Sequence, residues 1–157
     1  VAIRVVQPGL LGNPRSFLLP LAGDARRFAR LLPSFELFLH DAERVSLLRV
    51  MGAGVLYRRH LSEGRRSDLA AKGWQQIHEA MAGLQRQLPG AHFHLDGRVL
   101  VANDWPHEIL VQAAELRARM LLLGVSGRSG AARLALGDPI ERILRGTSCD
   151  VGICSAP

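Results

Sequence analysis

The feature that most narrows the fold of this chain is an alternation. Short apolar runs recur along it, and a stretch with helical spacing lies between each one and the next. The runs are Ser16 to Ala22, Val45 to Val50, His92 to Asp96 with its continuation Arg98 to Ala102, Met120 to Leu123, and Cys149 to Cys154. Between the first two, Asp24 to Asp41 carries Phe28, Leu31, Leu32, Phe35 and Leu39 at three- and four-residue spacing, and Pro33 is expected to kink or split that helix. Ser67 to Leu88 sets Trp74, Ile77, Met81, Leu84 and Leu88 along one stripe and stops at Pro89-Gly90. Asp104 caps a third helix, with Pro106 in its first turn, and Ile140, Ile143 and Leu144 mark a last one. Such an order predicts an α/β domain, a parallel sheet covered by helices on both faces with right-handed crossovers. In sheets of this kind ligands lie beyond the carboxyl ends of the strands, where the strand order reverses.

Composition sets the frame. A chain of 157 residues with 48% apolar and 22% charged content suits one domain with a real core. No apolar stretch approaches the roughly 18 residues that span a bilayer. There is no initiator methionine and no signal-like leader, which suits an excised fragment or a trimmed N-terminus. The net charge is +6, and Lys72 is the one basic residue that is not arginine. The arginines are scattered, as at Arg26, Arg27, Arg30, Arg58, Arg59, Arg117 and Arg119, without interleaved aromatics, so no nucleic-acid partner is expected. Cys149 and Cys154, five apart, point to opposite faces of a strand and are expected to stay free thiols. His92, His94 and Asp96 share one face by alternation; the wet side of a strand is favoured over a metal site. The stripe of the Ser67 helix is read as packing on the sheet rather than as a partner-binding face.

One segment points to chemistry. Gly124, Gly127, Gly130 and Gly137 lie in a run that contains the spacing G-x2-G-x9-G at positions 124, 127 and 137, directly after Met120 to Leu123 and directly before the last helix. A glycine-rich turn between a strand and a helix N-terminus lets backbone N–H groups approach an anion, and the first helical turn points its unpaired amides at it. The simpler reading is that these glycines serve only a tight turn. No Walker lysine accompanies them, since Lys72 lies in the second helix, and no Ser-His-Asp or Cys-His spacing recurs nearby. No catalytic residue is expected, and ATP hydrolysis, if any, is slow and incidental.

Several segments together resemble one family. Arg128-Ser129-Gly130 with Arg133-Leu-Ala-Leu-Gly137 is similar to the usual filling of the x9 segment in universal stress proteins, and Ile140 to Leu144 with Cys149-Asp-Val to their closing helix and strand. Pro106 to Leu110 with Ala113-Ala114-Glu115 resembles the helix before the motif, Val45 to Val50 the second strand, and Leu19-Pro-Leu21 the first. The resemblance implies a three-layer open parallel sheet of five strands in the order 3-2-1-4-5, the adenine-nucleotide alpha-hydrolase-like fold. It covers residues 16–157 as one domain and leaves 1–15 as a leader or an extra strand over Ala2 to Val6. It implies a stress-response regulator in the cytoplasm that forms a homodimer through its C-terminal strand. The implied ligand is ATP or a related adenine nucleotide, with no metal beyond nucleotide-associated Mg.

Carried over to this chain, the implied site comprises Gly124, Gly127, Arg128, Ser129, Gly130, Gly137 and Asp138, the Val50 backbone, and Ala22 at the end of the first strand. Two positions depart from the family pattern. Ala22 stands where binders carry an aspartate on the adenine side, and Asp138 where they carry a hydroxyl. A carboxylate about 4 Å from a phosphate oxygen repels it by about 1–4 kcal/mol, according to how wet the site is. The alternative implied is a degenerate member that binds no nucleotide and serves as a cytoplasmic regulatory or interaction domain tethered to a membrane transporter.

Overall fold

The computed structural model describes residues 2–5, 12–21, 25–52, 62–125 and 139–156. Strands β1 (Ala2–Val5), β2 (Ser16–Pro20), β3 (Arg44–Met51), β4 (His94–Val101), β5 (Met120–Val125) and β6 (Asp150–Ser155) form one sheet. Helices α1 (Ala25–Leu39), α2 (Glu63–Gln87), α3 (Trp105–Glu115) and α4 (Pro139–Gly146) connect them. The spatial order is β1-β6-β5-β2-β3-β4. The strands from β2 to β6 are all parallel, as the alternation predicts, and counted from β2 they stand in the order 3-2-1-4-5 that the family resemblance implies. Beyond that count, β1 adds a sixth strand, antiparallel, along the outer edge of β6.

The central strands are apolar on both faces, as burial between two helical layers requires. Phe17 and Leu19 of β2 belong with α1 and α2 to one core, while Leu18 faces the other core with Ile109 of α3 and Ile143 of α4. The cysteines divide the same way, Cys149 into the α3–α4 core and Cys154 into the α1–α2 core, both free. Helix α1 runs unbroken through Pro33. The proline and Ala29, whose carbonyl loses its intrahelical donor, both lie on the exposed side, where water can replace the missing bond.

Helix α2 differs from its sequence stripe. It starts earlier, at Glu63, with Ser62 as its cap, and it buries Gly73, Ile77, Ala80 and Leu84, whereas Trp74 remains 41% exposed. Small residues at 73 and 80 let the helix axis approach the sheet. A Cβ on Gly73 would come within 2.6 Å of Val99 Cγ1. Strand β4 passes without a break through Gly97, because α2 lies so close there that Ile77 occupies the space a side chain would need. His92 precedes this strand; His94 and Asp96 do share a face, but Asp96 accepts a hydrogen bond from Arg44 at 3.0 Å, a cation where a metal would have to sit.

Candidate functional site

The site is built by topology first. From β2 the chain proceeds outward to β3 on one side, and on the other side β5 proceeds outward to β6. The order therefore reverses between β2 and β5, the place where open parallel sheets hold a ligand crevice beyond the carboxyl ends of the strands. Leu21 follows β2, Met51 ends β3, and Gly124 and Val125 end β5, so these residues lie at the carboxyl ends of the three strands.

Arg49 fixes one wall. Its Nη1 donates to the Leu21 carbonyl at 3.1 Å and its Nε to Gln76 Oε1 at 2.7 Å, while the Leu21 N–H donates to Leu48 O at 2.7 Å. The end of β2 is thus fastened by both of its peptide groups. Half-burial lowers the pKa of this guanidinium, which nonetheless stays charged, placing a cation beside the crevice. Sequence reasoning missed Arg49. The signal was there, a charge inside an otherwise apolar parallel strand. Val50 follows it. Leu48 directs its carbonyl at β2, and strand alternation turns the peptide groups of Val50 the same way, one step further out. The Val50 side chain packs on the opposite face, against the α3–α4 core.

Gly124 forms the other wall. An added Cβ there would collide with Leu31 Cδ1, so α1 rests directly on the backbone of β5 at the crevice. Of the remaining expected site residues, Ala22, Gly127, Arg128, Ser129, Gly130, Gly137 and Asp138 lie outside the described residues.

Beyond the glycine-rich segment, α4 is tied to α3. Asp104 caps α3 through its Oδ1, which accepts from His107 N at 3.3 Å, and its Oδ2 accepts from Arg142 of α4 at 3.1 Å. The Arg142 bond and, after it, the His107 N–H hold this carboxyl below its ordinary value of 3.8. A depressed carboxyl contributes stability that is complete above its unfolded value and is lost as pH falls through the folded one. Asp104→Ala is therefore expected to lower the melting temperature at neutral pH, with the gap to the unaltered chain narrowing as the pH falls through the depressed folded value. A gap of constant size throughout that fall would contradict the assignment.

With this geometry in place, comparison with known proteins is decisive. The model of the universal stress protein family matches residues 34–155. The chain belongs to the universal stress protein family. No curated protein matches it significantly. Solved structures agree on the fold. A hypothetical protein superposes with a TM-score of 0.68 at 19% identity, covering 91% of this chain and 96% of its own. A universal stress protein solved in complex with cAMP gives 0.62 at 16% identity, covering 93% and 100%. The Archaeoglobus fulgidus universal stress protein in complex with dAMP gives 0.55 at 14% identity, covering 91% and 99%. Among the described residues no helix is long and apolar enough to cross a membrane.

Proposed function

We propose that this universal stress protein domain binds an adenine nucleotide, ATP, ADP or AMP, in the crevice between β2 and β5, and acts as a nucleotide-responsive regulator rather than an enzyme. The observation that carries the reading is the coincidence of two features that arise independently. The point where strand order reverses is also the point at which the glycine-rich segment leaves β5. Gly127, Arg128, Ser129, Gly130 and Gly137 would then meet the phosphates, with nucleotide-associated Mg, and the Val50 peptide the base. Arg49 supports this by fixing the Leu21 carbonyl and adding positive charge. Relatives of the same fold hold cAMP and dAMP.

A second reading has observations of its own. Ala22 offers no carboxylate, Asp138 brings the wrong charge, and Gly124 already has a packing reason to be glycine. Under it the domain is a docking or regulatory module, as it would be on the cytoplasmic face of a transporter.

Thermal unfolding with and without millimolar ATP, ADP and AMP separates the two. A ligand at about one hundred times its dissociation constant stabilises by about 2.7 kcal/mol. For a domain of this size that is a rise of about 5–11 °C. Gly127→Val is expected to abolish the rise and Asp138→Ser to enlarge it, each 1.4 kcal/mol of relieved repulsion being about tenfold in affinity. Absence of a rise with every nucleotide, in the unaltered chain and in Asp138→Ser alike, rejects nucleotide binding in favour of the docking module.

A further inference from the structure

Strand β6 has a polypeptide on both sides, and the outer one comes from the far end of the same chain. β1 lies antiparallel along it, with Ala2 opposite Cys154, Ile3 opposite Ile153, Arg4 opposite Gly152 and Val5 opposite Val151. Arg4 Nε and Nη2 both donate to Asp150 Oδ2, at 3.0 and 2.5 Å. The Asp150 side chain is only 3% exposed and that of Arg4 31%, so this ion pair lies largely out of water.

The edge that β1 covers is suited to a second copy of β6. A two-fold axis at Gly152 would lay a partner β6 antiparallel on it, with Val151 and Ile153 at the register positions that Ile3 and Val5 now hold. β1 thus presents the same β-branched sequence that a partner would. The exception is Arg4. The partner would offer Gly152 in its place, and Asp150 would lose this guanidinium. Giving up an ion pair that lies largely out of water is unfavourable even for a carboxylate that keeps another interaction. In addition, a four-residue strand carrying a charge replaces a six-residue one as the outermost strand, which is how natural sheets blunt their edges.

We propose that β1 is an intramolecular seal on the β6 edge, selected over a second copy by Arg4, so that the chain pairs β6 to β6 only when β1 is displaced. This stands apart from nucleotide binding and revises the homodimer that the family resemblance implies.

The test uses the full chain. Directly opposed residues in an antiparallel pair have Cα atoms about 4.5–5.5 Å apart, within the disulfide range. Ala2→Cys therefore sets a thiol against native Cys154. Burial pushes the Cys154 thiol up to about 11, so oxidation is driven with copper-phenanthroline at about pH 9. The expected product is a monomer with an intrachain 2–154 link, mapped by peptide mass spectrometry. An interchain 2–154 link would mean that β1 is exchanged between copies, and no link would mean that it does not hold the edge; either overturns the proposal. In parallel, Arg4→Glu is expected to tighten self-association at least tenfold by sedimentation. If that variant does not fold, Arg4→Met, which keeps the stem and removes the charge, takes its place. A folded Arg4 variant that associates no more tightly than the unaltered chain overturns the selection by Arg4.

Discussion

Replacing Ile77 by alanine is expected to destabilise the domain by about 2–5 kcal/mol, and the same change should make Gly97→Ala tolerable. Ile77 is fully buried, and its Cγ2 fills the space above Gly97 where a side chain of β4 would stand. Truncation loses the transfer energy of the buried atoms and adds a cavity. Gly97→Ala alone forces a methyl group into a β-branched side chain whose χ1 has little freedom, for about 1–3 kcal/mol of overpacking. In the double variant the new methyl enters the cavity, and the next of its three nearest atoms, from Met81 and Trp74, lie at an ordinary contact distance of 3.6 Å. A double-mutant cycle by chemical denaturation should therefore show a favourable coupling of about 0.5–3 kcal/mol. Strict additivity would mean that α2 does not sit on β4 as described.

Phe35→Ala has a comparable expected effect, about 3–5 kcal/mol. Phe35 is 2% exposed and its ring lies 5.7 Å from that of Phe28, tilted by 43°. The two rings anchor α1 over the sheet, and α1 contacts both β5 and β6. For this chain length each kcal/mol moves the melting temperature by about 2–4 °C, so a calorimetric scan decides the matter. A fall of only a degree or two would place Phe35 outside the cooperative core.

The alternation of strands and helices was legible because burial on both faces leaves unbroken apolar runs such as Phe17 to Leu19 and Met120 to Leu123. Caps at Asp104 and the first-turn Pro106 were equally legible, being local. What escaped was whatever depends on approach between elements. The α2 stripe shifted from Trp74 to Gly73 because distance to the sheet, not hydrophobicity, decides which residue lies beneath the helix. The clamp of Arg49 on Leu21 joins two strands and a helix, and no spacing along the chain announces it. Gly124 lies inside β5 rather than in a turn after Leu123, and its packing role could be seen only once Leu31 was placed.

Leu31 alters what the glycine spacing is worth as an indicator. Its methyl group already occupies the space that a side chain at 124 would take, whether or not anything is bound in the crevice. A relative emptied of every ligand would keep a glycine at this position simply to let its first helix close over the sheet. The first glycine of the spacing is thus a record of helix placement, and the burden of diagnosing a phosphate falls on the glycines at 127 and 137 alone.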